Sequence, residues 1–310
     1  LEGDDPAARR QRIVNYNTGI SRFWEASAMA HRLPAFILAI LLAASVSWAQ
    51  VAEPNRAGVA MGHLHYRVRD VAANTRFWTT LGGVPMTVGD TGALRFPGVL
   101  VLLSPGESSG GSDGSVLNHV AFRVQSLAEI EARGLAVQRL AQFPGVASVY
   151  TPEGERVELF DATATNLTFV ADAGLVDPVA ERHNRPLAGP IASHHVHLYL
   201  PKGAELEAKA WYARMFGATP GKRSNYQAAD LPGINLNFSE NPGERGPTRG
   251  RMLDHIGFEV VGLDAFCRRL EAAGVRLDEP YRRDAAGIGW ARLTDPWGTS
   301  IELTEGLSGL

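Results

Sequence analysis

HVHLYL, the sequence of residues 195–200, opens with a histidine and returns to histidine two positions later. Three other stretches also open with histidine: HLHYRV at 63–68, which repeats the second histidine, HVAFRV at 119–124 and HIGFEV at 255–260. Each begins with histidine, ends with valine or leucine, and is rich in the β-branched, aromatic and aliphatic residues typical of strands. Four copies of one structural unit are therefore predicted, and this repeat decides the fold.

Each of these strands is followed by an amphipathic helical pattern that stops at a glycine. The apolar helix positions are Phe77, Trp78 and Leu81; Leu127 and Ile130; Trp211, Tyr212, Met215 and Phe216; Leu263, Phe266 and Leu270. The glycines are Gly82, Gly134, Gly217 and Gly274. Ser126 and Glu129 have the spacing of a capping box at the start of the second helix. Short β-rich pieces separated by turns come next, so each unit is predicted to be βαβββ in an α+β fold.

Alternate units resemble each other, the first with the third and the second with the fourth. Units 1 and 3 end in a long polar loop, GESSGGSDGS and NPGERGPTRGR, whereas units 2 and 4 end in a turn and an acidic strand, TPEGERVELF and DPWGTSIELT. The larger repeat therefore predicts one domain at 60–161 and a second at 192–306, joined by a linker at 162–191. An alternative pairing, in which the first unit closes with the fourth, stays open.

Composition limits the classes of function. The chain has 310 residues, 45% of them hydrophobic and 20% charged, which is the balance of a globular protein with a sizeable core. A net charge of −3 gives no basic field for nucleic acid, so the expected partner is a small molecule. The single cysteine, Cys267, excludes an intrachain disulfide and is expected to be a small core or boundary residue.

The N-terminal part contains a segment that resembles a targeting signal. Residues 29–49 have a basic start, an apolar run at 33–46 and small residues before Gln50, as in a secretory signal peptide cleaved after Ala49. The apolar run is shorter than the roughly 20 residues that a spanning helix needs. We therefore expect a periplasmic or secreted protein without a stable membrane span after processing. Residues 1–28 are interpreted as a segment upstream of the natural start, and the rival interpretation is a signal anchor.

Alternation along the strands predicts which side chains share a face. His195, His197 and Tyr199 point together, whereas His194 points to the apolar side and is expected to be structural. The same count groups His63 with His65 and Arg67, and His119 with Arg123. Glu158 and Glu302 hold matching positions in the last strands of units 2 and 4. Two sets of two histidines and one glutamate result, His63/His119/Glu158 and His195/His255/Glu302, and each fits a facial triad for Fe(II) or a similar divalent ion.

The sequence resembles the vicinal oxygen chelate superfamily, which includes glyoxalase I, extradiol dioxygenases, and fosfomycin and bleomycin resistance proteins. The resemblance is carried by the strands that open with histidine, the helix ends FWTTLGG and WYARMFG, and the turn DPWGTSIEL, and it covers nearly everything after the signal. It implies two cupped mixed-sheet modules built from βαβββ units. It also implies a divalent metal, Fe(II), Mn(II) or Zn(II), on the six residues of the two triads.

The resemblance leaves the reaction open among dioxygenase, lyase and isomerase types. Glyoxalase I adds an acidic or amide ligand from the last strand of a unit; GVLVLLSPG offers only apolar residues there, and INLNFSEN offers Asn235 or Asn237. Extradiol dioxygenases place a histidine and a tyrosine before the acidic turn, and AAGIGWARLTDPWG contains neither. The alternative from another class is a protein of the bleomycin-resistance type that binds a small ligand without turnover.

The sequence also predicts which triad is the working site and which residues act on the substrate. The triad His195/His255/Glu302 is the predicted working site, with the polar loop at 241–251 as its lid. The predicted catalytic residues are His197 and Tyr199, and the predicted substrate-binding residues are Arg67, Arg123 and His65.

Overall fold

The computed structural model describes residues 51–164, 168–172 and 187–309. The predicted signal peptide at 29–49 and the segment at 1–28 lie outside the described residues. None of the helices in the described part of the chain is long and apolar enough to cross a membrane.

The described chain contains the four predicted βαβββ units. Unit 1 has β1 (Val59–Val68), α1 (Val71–Leu81), β2 (Val84–Val88), β3 (Thr91–Phe96) and β4 (Val99–Pro105). Unit 2 has β5 (Leu117–Val124), α2 (Leu127–Ala132), β6 (Gln138–Arg139), β7 (Val146–Tyr150) and β8 (Arg156–Phe160). A short strand, β9 (Phe169–Ala171), follows within the predicted linker. Unit 3 has β10 (Ile191–Leu200), α3 (Glu205–Phe216), β11 (Thr219–Arg223), β12 (Tyr226–Leu231) and β13 (Ile234–Glu240). Unit 4 has β14 (Leu253–Val260), α4 (Leu263–Ala272), β15 (Leu277–Arg283), β16 (Gly289–Thr294) and β17 (Ser300–Glu305).

The units do not pair within the predicted domains. Units 1 and 4 form an eight-stranded mixed sheet in the order β15-β16-β17-β14-β1-β4-β3-β2, the first sheet. Units 2 and 3 form a nine-stranded sheet in the order β6-β7-β8-β5-β10-β13-β12-β11-β9, the second sheet. The α+β class and the mixed sheets are confirmed. Each sheet takes strands from both of the predicted sequence domains, because the first unit closes with the fourth and the second with the third.

At the centre of each sheet, two of the strands that carry the repeated histidines run antiparallel, and each begins two to four residues before the histidine that opens its sequence repeat. β1 pairs with β14 so that His65 is opposite His255, and β10 pairs with β5 so that His197 is opposite His119. Both pairs contain register shifts, next to His63 and His65 in β1 and next to His195 and His197 in β10. The seam between two units is therefore where the repeated histidines meet.

The helices bury the apolar positions that the sequence indicates. All the predicted apolar helix residues are buried, as is Cys267, and they belong to one core cluster that contains residues from both sheets. Gly82 and Gly217 end α1 and α3 with positive φ angles of 127° and 66°, which glycine adopts without a Cβ penalty. Ser126 is the N-cap of α2, but its side chain makes no capping hydrogen bond; the Leu127 amide instead donates to Asp161 at 3.5 Å.

Candidate metal centres

The first sheet carries a cluster of three histidines and one glutamate, which we call the His255 site. His63 and His65 come from β1, His255 from β14 and Glu302 from β17. Ligand atoms of the three histidines lie within 4.8 Å of one another. Glu302 Oε1 lies 3.3 Å from His63 Nε2 and 3.7 Å from His255 Nε2.

The second sheet carries a matching cluster, the His119 site. His195 and His197 come from β10, His119 from β5 and Glu158 from β8, with histidine ligand atoms again within 4.8 Å of one another. Glu158 Oε2 lies 3.3 Å from His119 Nε2 and 3.6 Å from His195 Nε2. The two sites therefore repeat one arrangement in separate sheets.

The grouping predicted from the sequence is corrected by this arrangement. All six predicted ligands lie in the two clusters, but His255 and Glu302 lie with His63, and His195 lies with His119 and Glu158. The prediction paired unit 1 with unit 2 and unit 3 with unit 4, whereas hydrogen bonding between β1 and β14 and between β5 and β10 joins unit 1 to unit 4 and unit 2 to unit 3. His65 and His197 complete the two clusters.

The donor atoms fit a divalent ion. Within the described chain, Nε2 of His63, His119, His195 and His255 is buried and has no hydrogen-bond partner. Buried polar nitrogen atoms without partners are rare in native proteins and call for an explanation such as an ion. Two or three imidazole nitrogen atoms with one carboxylate are the ligand types that Fe(II), Mn(II) and Zn(II) accept.

Three of these histidines are held by the residue that precedes them. His255 Nδ1 is 2.6 Å from Asp254 Oδ1, and His119 Nδ1 is 2.8 Å from Asn118 Oδ1. His195 Nδ1 is 2.7 Å from His194 Nδ1. His194 is thus structural in a more specific sense than predicted, because it contacts the ring of a candidate ligand. The signal in the sequence was the pair of matching stretches LNHV and LDHI, in which a polar side chain precedes the histidine.

Burial sets the protonation of most of these rings. It lowers the pKa of His63 and His119, with only partial opposition from their neighbouring glutamates. It also holds the pKa of His195 and His197 well below the usual value, and that of His65 at about 3. These imidazoles are therefore neutral at pH 7, which is the form that binds a metal.

The pKa values of His255 and Glu302 shift in opposite directions. Burial alone would lower the pKa of His255, but the neighbouring carboxylates of Asp254 and Glu302 outweigh it and raise that pKa. Burial would raise the pKa of Glu302, yet the neighbouring rings of His255 and His63 hold it well below its ordinary value. Glu302 is therefore a carboxylate at neutral pH, and a metal ion would displace any proton held by His255 Nε2.

An arginine neutralises each glutamate. Arg292 donates to Glu302, and Arg156 Nη1 lies 3.6 Å from Glu158 Oε1. Arg156 also contacts the ring of His119. Arg292 lies opposite Glu302 on the adjacent strand β16, and Arg156 lies two residues before Glu158 on β8. Each arginine contacts one oxygen of its glutamate, and the other oxygen faces the histidines.

The surroundings of the two sites differ. In the parallel pairing of β1 with β4, His63 and His65 lie beside Leu100 and Leu102, which belong to a second apolar cluster with Val88 and Ile288. In the corresponding pairing of β10 with β13, His195 and His197 lie beside Asn235 and Asn237. Asn235 is engaged by Arg223 and Asp230, whereas Asn237 Oδ1 is buried and has no hydrogen-bond partner among the described residues.

A cavity of about 460 Å³ opens onto the His119 site. Its lining includes His119, His195, His197, Glu158, Arg156, Asn237, Tyr199, Tyr226, Phe143 and Phe160. The His197 ring lies against both tyrosines, with centroid distances of 5.1 Å to Tyr199 and 4.9 Å to Tyr226. The cavity combines candidate ligands, polar groups and aromatic walls, as a small-molecule site does.

The predicted substrate-binding residues are dispersed. His65 is part of the His255 site, and its Nε2 is 2.7 Å from Ser104 Oγ. Arg67 is exposed, and its methylene groups lie along Gly106. Arg123 is half-buried, and burial lowers its pKa. The structure brings none of these three into the lining of the cavity at the His119 site.

The loop at 241–251 is held by hydrogen bonds. The amide of Val116 donates to Gly246 O at 3.0 Å, and that of Ser109 donates to Gly250 O at 2.8 Å. Arg251 Nη1 reaches Gly111 O at 2.9 Å. These bonds link the loop to the polar loop of unit 1 in this conformation, and the role of residues 241–251 as a lid stays a prediction.

Paired βαβββ units with a histidine and glutamate cluster at each seam are the arrangement that the resemblance to the vicinal oxygen chelate superfamily implies. Residues 176–303 match the profile of the Glyoxalase/Bleomycin resistance protein/Dioxygenase superfamily, which confirms the resemblance for this part of the chain. No curated protein matches the chain.

Solved structures share the architecture. Glyoxalase I from Zea mays is 16% identical with a TM-score of 0.58, and the match covers 81% of this chain and 94% of that one. A protein from Bacillus subtilis that carries the provisional name dioxygenase is 15% identical with a TM-score of 0.55, covering 83% of this chain and 86% of that one. At these identities the likeness establishes the fold alone.

Proposed function

We propose that this protein is a divalent-metal-dependent enzyme that acts on a small substrate with two adjacent oxygens, and that the His119 site is its working site. One observation carries the proposal: unpartnered Nε2 atoms of His119 and His195 converge on Glu158 at the wall of an open cavity. The same arrangement at the His255 site lies beside an apolar cluster. The sequence had favoured Glu302 for the working site, and the cavity moves the proposal to Glu158.

The ion would be held by His119, His195 and Glu158, with His197 beside them. A divalent ion in such a site supplies a Lewis acid that polarises bound substrate oxygens. Fe(II), Mn(II) and Zn(II) all suit two nitrogen ligands and one carboxylate. Arg156 keeps Glu158 oriented through its second oxygen, since the guanidinium lies 3.6 Å from Oε1.

The remaining polar groups of the cavity bind and orient the substrate. Burial raises the pKa of Tyr199, so its hydroxyl is a hydrogen-bond donor at neutral pH. His197 is neutral and half of its hydrogen-bonding capacity is used by Ser239 Oγ at 2.7 Å, which leaves Nδ1 for a proton or a ligand. Asn237 Oδ1 is an unused acceptor in the same cavity. Tyr199 as donor and His197 as acceptor are the proposed acid–base pair.

Turnover by matched single-site variants tests the proposal. Protein loaded with Fe(II), Mn(II) or Zn(II) is assayed with a panel of α-oxo and α-hydroxy carbonyl compounds and ortho-dihydroxy aromatics. Glu158→Ala should abolish turnover, whereas Glu302→Ala, which removes the equivalent carboxylate of the other sheet, should retain it. Turnover that survives Glu158→Ala would contradict the assignment. Tight binding of a panel member by the loaded wild type without turnover would favour the ligand-binding alternative.

A further inference from the structure

Two strands of the seams carry nearly the same sequence. Residues 117–124 read LNHVAFRV and residues 253–260 read LDHIGFEV, and they form β5 and β14. The second residue of each strand is Asn118 in one and Asp254 in the other. Each lies directly before a candidate ligand, His119 or His255, and each contacts the Nδ1 atom of that ligand. The side chain that contacts the ligand histidine at this matched position is therefore an amide at one site and a carboxylate at the other.

Asp254 fixes the tautomer of His255. A carboxylate oxygen can only accept, so its contact of 2.6 Å requires the proton on Nδ1 of His255. The lone pair of Nε2 is then directed at the glutamate and the other rings of the cluster. Partners of this kind orient metal-binding imidazoles and raise their basicity. At His119, both Asn118 Oδ1, at 2.8 Å, and the guanidinium of Arg156 contact Nδ1, so Asn118 alone does not set the tautomer.

The charge of the residue that contacts the ligand histidine differs between the two sites. Asp254 is a buried carboxylate whose second oxygen accepts the Gly250 amide at 2.6 Å. Asn118 is neutral, and its oxygen is shared with Arg156 Nη2 at 3.2 Å, while its amide donates to Asp113 Oδ1 at 2.7 Å. His255 therefore contacts the Asp254 carboxylate, whereas His119 contacts a neutral amide whose oxygen also accepts a hydrogen bond from Arg156. Hydrogen bonds to an ionised acceptor are roughly twice as strong as neutral ones.

The other charged groups around the two clusters do not reverse this difference. Both glutamates are paired with an arginine, Glu302 with Arg292 and Glu158 with Arg156, so these pairs cancel in the comparison. Asp254 adds a negative charge at the His255 site. At the His119 site the further charged groups have both signs: Arg223 contacts His194 and Asn235, Asp230 accepts a hydrogen bond from Asn235, and Asp113 accepts one from Asn118. The field at the His255 site is the more favourable one for a divalent cation.

We propose that Asp254 is a positioning residue that makes the His255 site the tighter of the two metal sites. The inference rests on the proposed binding of a divalent ion and adds a ranking of the two sites and the side chain that sets it. The His255 site, beside an apolar cluster, would hold its ion more firmly, and the His119 site, beside the cavity, would hold a more exchangeable one. Residues that hydrogen-bond to the second nitrogen of a ligand imidazole change metal affinity by roughly 10–100-fold, which is the expected difference between the two sites.

Single-site variants allow each affinity to be measured alone. Glu158→Ala leaves the His255 site, and Glu302→Ala leaves the His119 site. Co(II) is titrated into each apo protein in competition with a chromophoric chelator. We expect the Kd of the Glu158→Ala variant to be about tenfold or more below that of the Glu302→Ala variant.

Exchanging the partners tests the cause. Asp254→Asn in the Glu158→Ala background should raise the Kd about tenfold. The double change Asp113→Asn with Asn118→Asp in the Glu302→Ala background moves a carboxylate against His119 while keeping the net charge and the Asn–Asp hydrogen bond. It should lower the Kd about tenfold. A gain in affinity cannot arise from misfolding, so this variant remains informative if Asp254→Asn is unstable.

Two further readouts separate positioning from general structure. In the Co(II) protein, the paramagnetically shifted Nδ1 proton of the ligand histidine should exchange with solvent more slowly when its partner is aspartate. Asp264→Asn removes an exposed carboxylate that pairs with Arg268 at 2.7 Å, and it should leave both Kd values unchanged. Equal Kd values at the two sites, or an exchange of partners without effect, would overturn the inference alone. Absence of Co(II) binding in both single-site variants would overturn the proposed metal function with it.

Discussion

Gly257 shows how closely the His255 site is packed. It lies opposite His63 across the β1–β14 pair, and a Cβ atom there would come within 2.1 Å of His63 Cε1. The matching position opposite His195 is Ala121, so the second sheet accepts a methyl group where the first cannot. Glycine at 257 is therefore required by the position of the His63 ring rather than by the backbone.

Gly257→Ala should displace the His63 ring and weaken metal binding at the His255 site. Overpacking of this kind costs about 1–3 kcal/mol in the free energy of unfolding. Denaturant unfolding and metal content would show both effects. Gly92→Ala is the control, because a Cβ on this strand residue meets only Val71 at 3.9 Å and should be tolerated. Unchanged metal content in Gly257→Ala would contradict the packing argument.

Residue types at the sites could be predicted from the sequence, but their partners could not. Histidine at the start of four similar strands and glutamate in two matching strands identified all six candidate ligands. The partnership of His255 with His63 depends on hydrogen bonds between β14 and β1, which are separated by most of the chain and leave no local pattern. The contacts of Asp254 and His194 with ligand rings also depend on side-chain geometry at the register shifts.

At the scale of elements, α1 joins the two sheets. Trp78 is fully buried in α1 and lies 5.4 Å from Tyr66 and 5.9 Å from Phe96 of the first sheet, measured between ring centroids. It also lies 6.0 Å from Phe122 of the second sheet. One helix of unit 1 therefore contributes to a core that both sheets share.

Trp78→Ala should destabilise the protein by about 3–5 kcal/mol, because it leaves a large cavity among these rings. Trp78→Phe is the matched variant, since it keeps most of the ring and removes an Nε1 atom that has no hydrogen-bond partner in the described chain. Its cost should be clearly smaller. Urea unfolding measures both, and equal costs would show that the aromatic contacts are not what stabilises this position.

The polar loop of unit 1 is anchored by a buried carboxyl group. Glu155 accepts the Ser112 amide at 2.8 Å and contacts the Ser112 hydroxyl, and burial raises its pKa above the usual value. An acid whose pKa is raised by folding binds more protons in the folded state. Its contribution to stability is therefore complete below the unfolded pKa and is lost as pH rises through the folded pKa.

Glu155→Gln should remove this part of the pH dependence. The free energy of unfolding of the wild type should fall relative to that of the variant as pH is raised from about 4.5 toward neutrality. Urea unfolding of both proteins across this range provides the measurement. Parallel pH profiles would mean that Glu155 titrates normally in the folded protein.

At the scale of the whole molecule, the repeat predicted the βαβββ units and the mixed sheets, since strand and helix periodicities are local signals. Pairing of the first unit with the fourth and of the second with the third is a topological choice that local signals do not record. The cavity at the His119 site depends on this pairing of units. It is formed where unit 2 meets unit 3, and it combines His119 and Glu158 of one unit with His195 and Tyr199 of the other.

Export remains a prediction, and it concerns residues 29–49, which precede the folded part of the chain. We expect cleavage after Ala49, because the apolar run at 33–46 is short for a membrane span and Ser47 and Ala49 are small residues at the positions that a signal peptidase requires. N-terminal sequencing of protein from the exported fraction should begin at Gln50. Exported protein that still carries residues 29–49 would contradict this expectation.

Each candidate metal site lies between two units, the first with the fourth or the second with the third, rather than within one predicted domain. Metal content of dialysed double variants tests this placement most directly, because residues of one site act as a unit. His195→Ala with Glu158→Ala should lose one equivalent of metal, no more than either change alone, whereas His195→Ala with Glu302→Ala should lose two. A loss of two equivalents in the first double variant and one in the second would contradict this placement.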